Sequence, residues 1–261
     1  MIQLFNDECL HKLDELLKNN IKVNSIICDI PYGTTSCAWD EVIPLNDMWS
    51  LLNQIVDANA PIVLFSSQPF TSKLIVSNID NYREELIWIK NKSASGLAAK
   101  QKHLKVHENI IVFSNSSKYT YNPQKWYVDE DFVIKRKTLE IAEETNRITN
   151  TKKTGRIRQV DDGSRQPISC IAYKVPYSPK KNSKTKNGDY RVHPTQKPLL
   201  LMEYLVKTFS NENDTVLDFT MGSGTTGVAC KKLNRNFIVI ERDKEYFEIA
   251  RERIENVSTS D

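Results

Sequence analysis

The sequence predicts an α/β fold: a mostly parallel sheet with helices on both faces. Two observations carry the prediction. Short runs such as Ser25-Ile26-Ile27-Cys28 and Pro61-Ile62-Val63-Leu64-Phe65 are almost wholly apolar, and stretches of helical periodicity separate them. A strand reads that way when helices cover both of its faces. Near the other end, an apolar run leads into Asp218-Phe219-Thr220-Met221-Gly222-Ser223-Gly224-Thr225 and then into a helical pattern, a strand–glycine turn–helix order. The 261 residues suit one large domain or a core with an insertion.

Taken in order, Gln3-Leu4-Phe5 reads as a short strand, and Leu10, Leu13, Leu16 and Leu17 mark one face of an amphipathic helix. Val23 to Cys28 is a buried strand; Trp49, Leu52, Ile55 and Val56 mark the next helix. Pro61 to Phe65 is a strand ended by Ser66-Ser67, and Glu85 to Lys90 and Asn109 to Phe113 are two more. From about Lys118 to Val192 the rhythm stops. Tyr119, Tyr121, Trp126, Tyr127, Tyr173, Tyr177 and Tyr190 mix there with basic residues, and the charged stretch 131–149 suits one exposed helix. Regularity returns with a helix through Leu199, Leu200, Met202, Leu205, Val206 and Phe209. A strand at Thr215 to Leu217, a helix at Thr225 to Leu233, a strand at Phe237 to Ile240 and a helix carrying Tyr246, Phe247, Ile249, Ala250 and Ile254 complete the chain. The expected organisation is two halves, 1–118 and 193–261, around an insertion at 119–192.

Composition narrows the function classes. Hydrophobic content of 39% and charged content of 26% are those of a soluble globular protein. No apolar run reaches the roughly 18 residues of a membrane span, and the first residues lack the pattern of a signal peptide. Cys9, Cys28, Cys37, Cys170 and Cys230 form no Cys-x-x-Cys pair. We therefore expect reduced thiols in the cytoplasm, no disulfide framework and no metal site. The net charge of +3 hides a basic middle: residues 151–197 hold twelve Lys and Arg against three Asp. Such a stretch attracts a polyanion or is a solvated loop; charge alone does not separate the two.

Asp29-Ile30-Pro31-Tyr32 leaves the end of the second predicted strand. A carboxylate that accepts from an amino group, a proline that fixes the backbone and a ring that offers a stacking face suit the grip of a flat, amino-bearing ring. The glycine turn allows positive φ and close approach of the backbone to a ligand. Glu241 ends the strand after it, at the spacing where an acid meets ribose hydroxyls. The Gly-Lys-Ser/Thr of a phosphate loop is missing, and Asp218 would repel phosphate. It suits a ligand with a cationic group, such as the amino acid end of S-adenosylmethionine. Asp7 follows the first strand; it either joins the same rim or caps a helix starting at Glu8.

With His193-Pro194-Thr195-Gln196-Lys197-Pro198 added, the chain resembles the β-type amino DNA methyltransferases. The tetrapeptide is similar to that family's Asp-Pro-Pro-Tyr motif, with Ile30 in place of the first proline. The second element is similar to one that precedes the family's cofactor loop. In the glycine turn, Phe219-Thr220 stand where the family has Pro-Phe, so the family's cofactor-facing phenylalanine has no assured counterpart. The resemblance implies a Rossmann-like S-adenosylmethionine-dependent methyltransferase fold with circularly permuted motif order, the insertion being the target recognition region.

It further implies methyl transfer to an exocyclic amine of a base flipped out of double-stranded DNA. Asp29, with the backbone around Pro31, would orient the amine, and Tyr32 would stack on the base. Asp218, Gly222, Gly224 and Thr225 would surround the methionine part, Glu241 the ribose, and Thr195 and Lys197 the carboxylate end. Trp88-Ile89-Lys90 and His107-Glu108-Asn109 also resemble segments that flank the base pocket, or are plain scaffold. The opening Asp favours adenine N6 over cytosine N4. Methylation of RNA or of a protein amide, and a DNA-binding protein without catalysis, are the other readings. The resemblance is compatible with a homodimer and with a separate restriction endonuclease as partner.

Overall fold

The computed structural model describes residues 1–33, 40–93, 99–127, 163–176 and 195–257. The predicted helix at 131–149, Cys37, Tyr177, Tyr190, His193 and most of the basic residues between 151 and 191 lie outside them.

The described elements run, in chain order, β1 (Ile2–Asn6), α1 (Cys9–Lys18), β2 (Ser25–Cys28), α2 (Leu45–Ile55), β3 (Ile62–Ser66), α3 (Phe70–Val76), β4 (Tyr82–Ile89) and β5 (His107–Phe113). They continue with β6 (Trp126–Tyr127), β7 (Ser164–Arg165), β8 (Cys170–Ala172), α4 (Leu199–Phe209), β9 (Thr215–Asp218), α5 (Thr225–Lys232), β10 (Asn236–Glu241) and α6 (Lys244–Glu255). Among them is an eight-stranded sheet in the order β1-β10-β9-β2-β3-β5-β4-β8. It is mostly parallel, as expected; β5 alone runs antiparallel, to both β3 and β4.

Side chains alternate across the pleat and build two cores. On one face Ile26, Cys28, Ile62 and Leu64 meet Leu13 and Leu16 of α1, Trp49 and Leu52 of α2, and Leu74 of α3. On the other, Ile27, Val63, Phe65 and Val216 meet Leu205 and Phe209 of α4, Ala229 of α5 and Ile254 of α6. Burial on both faces is why these strands carry hardly a polar residue in the sequence. Within α4, Leu200 departs from the expected face and is exposed.

The chain divides into two compact units, Met1–Asn122 with Ile168–Asp261, and Pro123–Pro167. The smaller holds the antiparallel ribbon of β6 and β7. The smaller unit lies within the expected insertion of 119–192. Tyr119 stacks against Phe209, and Tyr173 packs on Tyr204. β8 extends the sheet in parallel to β4, and the Trp88 indole N–H donates to the Tyr173 carbonyl at 2.9 Å. No described helix is long and apolar enough to cross a membrane.

Candidate active site

β2 and β9 are parallel neighbours, and the sheet grows away from them in opposite directions, through β3 on one side and β10 on the other. In open α/β sheets, ligands bind outside the carboxyl ends of the strands at such a reversal. A cavity of about 550 Å³ opens here, a volume within the range of small-molecule sites.

Asp29 follows β2 directly, and both of its oxygens are engaged. Oδ1 accepts from the Tyr32 hydroxyl at 2.6 Å, and Oδ2 pairs with the Lys197 ammonium. The turn is held from outside: Asp40 Oδ1 accepts from the backbone N–H of Tyr32 and of Gly33, both at 2.9 Å. Gly33 has φ +67°, and a Cβ there would lie 2.8 Å from Val42 Cγ2, so glycine is required by both backbone and space. The Tyr32 ring stacks on Phe70, centroids 5.8 Å apart. Ile30 is buried in the core. Its side chain is packing, which accounts for an isoleucine at that place in the motif. Pro31 lines the cavity.

Asp29 and Lys197 belong to a four-charge cluster. Glu108 on β5 pairs with Lys90 just beyond β4, and its second oxygen lies 3.6 Å from Lys197 Nζ. Lys197 also sits over the Phe65 ring, 4.9 Å from its centroid. Burial pushes the Asp29 carboxyl up, helped by the Glu108 charge and opposed by Lys197. For Glu108, burial raises, but the two ammonium groups outweigh it and hold the carboxyl below its ordinary value. Burial lowers Lys197, yet Asp29 and Glu108 carry it above the ordinary lysine value. Lys197 is thus held as a cation inside the site.

The glycine side is built differently. Gly222 and Gly224 have φ +52° and +77°. Gly222 N–H donates to Glu241 Oε2 at 2.8 Å, and Asp243 N–H to Oε1 at 2.9 Å. Burial raises the Glu241 carboxyl. Asp218 accepts from Thr226 Oγ1 at 2.5 Å and from Thr220 N–H at 3.2 Å; burial pushes its carboxyl up to about 6. Thr220 Oγ1 donates to the Asp29 carbonyl at 3.0 Å, so one hydroxyl ties the two motifs together across 191 residues.

Most of the residues named from sequence share this cavity. Asp29, Pro31, Tyr32 and Lys197 line one part, and Asp218, Gly222, Thr225 and Glu241 another. Asp7 and Thr195 also line it. The helix-capping reading of Asp7 is corrected: Glu8 caps α1, accepting from His11 N–H at 2.9 Å, while Asp7 accepts from Glu8 N–H at 2.8 Å. Gly224 is not among the lining residues. A Cβ at Gly224 would lie 2.8 Å from the Ala250 Cβ on α6, so the absence of a side chain serves helix packing. Phe219 is buried in the core and also lines the cavity. Lys197, expected at the cofactor's carboxylate end, has its ammonium on Asp29 and Glu108. Glu108 and Lys90, which the sequence left open between a segment flanking the base pocket and plain scaffold, line the cavity, and Thr220, named only as part of the turn, joins the two motifs.

The cavity fits the implied cofactor. Its volume suits a nucleoside-sized ligand, and the buried acids Asp218 and Glu241 on the glycine side match hydroxyl and ammonium donors better than phosphate.

Comparison with known proteins agrees. A family model described as DNA methylase, for N6 and N4 methyltransferases, matches residues 23–252. The chain is 27% identical over 252 residues to the type II methyltransferase M1.MboII of Moraxella bovis, covering 91% of this chain and 90% of that protein. It is 26% identical over 273 residues to M.HpaI of Haemophilus parainfluenzae, covering 97% and 74%. The crystal structure of the M1.HpyAVI–SAM complex is similar with a TM-score of 0.62 at 27% identity, covering 97% of this chain and all of that one.

Proposed function

The chain belongs to the DNA methylase family and is an S-adenosylmethionine-dependent DNA methyltransferase, and we propose that its acceptor is the exocyclic N6 of an adenine flipped out of duplex DNA. The observation that carries this reading is the placing of Asp29 and Tyr32, hydrogen-bonded to each other, in one cavity with the glycine turn. The aspartate that opens the tetrapeptide favours adenine over cytosine.

S-adenosylmethionine, when bound, supplies an electrophilic methyl group. Asp218, Gly222 and Thr225 would hold its methionine part, Glu241 the ribose and Thr195 the carboxylate end, with Asp7 on the rim. The amine of a nucleobase is a poor nucleophile because its lone pair is delocalised into the ring. Asp29, accepting from that amine, orients the lone pair and stabilises the positive charge that develops on nitrogen. The Tyr32 ring, held by Phe70 and by its bond to Asp29, supplies a stacking face worth about 1–3 kcal/mol in comparable sites.

We assign residues 119–192 to target recognition, because their basic excess suits the phosphate backbone. The named relatives are type II methyltransferases. We therefore read the chain as the modification component of a restriction system in the cytoplasm, dimeric, with cleavage in a separate protein.

Asp29→Ala tests the assignment. Methyl transfer to DNA should fall by about 10²–10³-fold or more, the scale of losing one charge-stabilising group, while S-adenosylmethionine still binds in a titration. Methylation near the wild-type rate would remove Asp29 from the mechanism. Digestion of the methylated DNA to nucleosides should yield N6-methyladenine; N4-methylcytosine would overturn the choice of base.

A further inference from the structure

The acceptor state of Asp29 poses a problem that the cluster around it resolves. To hold the target amine, Asp29 must accept a further hydrogen bond, yet Oδ1 already accepts from Tyr32 and Oδ2 from Lys197, and an oxygen whose charge is drawn toward a bound ammonium is a weaker acceptor for the amine. A second carboxylate stands beside the same ammonium. Glu108 Oε1 is occupied by Lys90. Glu108 Oε2 is buried and has no hydrogen-bond partner among the described residues, although it lies 3.6 Å from Lys197 Nζ. An unsatisfied buried carboxylate oxygen is expensive, and a movement of well under the length of one bond would satisfy it.

We propose that Lys197 is handed from Asp29 to Glu108 when the target amine enters, and that Glu108 is the positioning residue that makes the handover possible. This rests on the reading of Asp29 as the group that receives the amine. In the free protein Lys197 neutralises Asp29. When the amine donates to Asp29 Oδ2, the ammonium moves onto the waiting Glu108 oxygen. Charge is conserved within the cluster, since two carboxylates and two ammonium groups sum to zero in both states. A buried cation that lost Asp29 with nowhere to go would oppose base entry, because an unpaired charge away from water is strongly unfavourable. The Phe65 ring under Lys197 gives the ammonium a face to slide across. The handover orders the site: Asp29 gives up its cation as it receives the amine.

Two measurements test the proposal. In Glu108→Gln, the shape remains but the competing charge is lost, so Lys197 stays on Asp29. The turnover rate on DNA should drop roughly 30-fold, with KM for S-adenosylmethionine within about twofold; losing the counter-charge of Lys90 should also lower the melting temperature, and Glu108→Asp should recover part of the rate. A rate equal to wild type in Glu108→Gln overturns the proposal, as does an equal loss in rate and in cofactor affinity. The second readout needs no variant. In crystals of the wild-type protein with a duplex containing its target and a non-reactive cofactor analogue, Lys197 Nζ should lie within hydrogen-bond distance of Glu108 Oε2 and beyond it from Asp29. An ammonium still paired with Asp29 while the target amine is bound would also overturn it. If the wild type itself does not methylate DNA, the functional reading fails instead, and the two failures are told apart.

Discussion

The two rims of this cavity hold buried acids by different means. On the β2 and β5 side, Asp29 and Glu108 are balanced by Lys197 and Lys90. On the β9 and β10 side, Asp218 and Glu241 accept from hydroxyl, thiol and backbone N–H donors. The first arrangement can change partners, because ammonium groups on long side chains move. The second is fixed by the backbone of the turn itself. Chemistry that must admit and release a base is on the mobile side, and the rigid side suits a cofactor held in one pose.

Substitutions should divide along the same line. Asp29→Ala gives the largest effect, the loss of about 10²–10³-fold in turnover already stated, with cofactor binding kept. Gly224→Ala should do the reverse. A Cβ 2.8 Å from Ala250 and a φ of +77° should destabilise the fold by about 2–4 kcal/mol, combining overpacking with the left-handed penalty. Thermal melting would show a fall of several degrees together with weakened cofactor binding; an unchanged melting curve would break the argument that this glycine serves helix packing.

Asp218 supplies a pH test of the rigid side. Its carboxyl is raised to about 6 from 3.8, so the folded state holds the proton more tightly than the unfolded one. The stabilisation is complete below the unfolded value and is lost as pH rises through about 6. The difference in stability between wild type and Asp218→Asn should therefore change by about 2 kcal/mol between pH 4 and pH 7, in the direction of a less stable wild type at higher pH. A flat difference would mean that Asp218 is not desolvated. The smallest effect is expected for Tyr32→Phe, which keeps the ring and removes one donor to Asp29: about a tenfold loss in turnover, near the 1.5–3 kcal/mol of a hydrogen bond to a charged group. A loss as large as that of Asp29→Ala would assign the hydroxyl more than an orienting role.

Much of the sheet was legible because burial on both faces leaves a signature in each strand, as in Ile26-Ile27-Cys28 and Ile62 to Phe65. Short elements were not. α3 spans seven residues, too few for a helical stripe to stand out, and β8 has only three. Its pairing with β4 depends on a chain return that no local pattern encodes.

The sequence by itself determined the alternation of buried strands and helices, the acids at the strand ends and the motif order that marks the family. These are local, since polarity and glycine act on the residues beside them. Only the tertiary structure decided what each acid faces. Lys197 meets Asp29 across 168 residues of chain, and Glu108 reaches the same ammonium from a strand three places along the sheet from β9. Ion pairing depends on distance in space, and strand order, which sets that distance, is a property of the whole sheet.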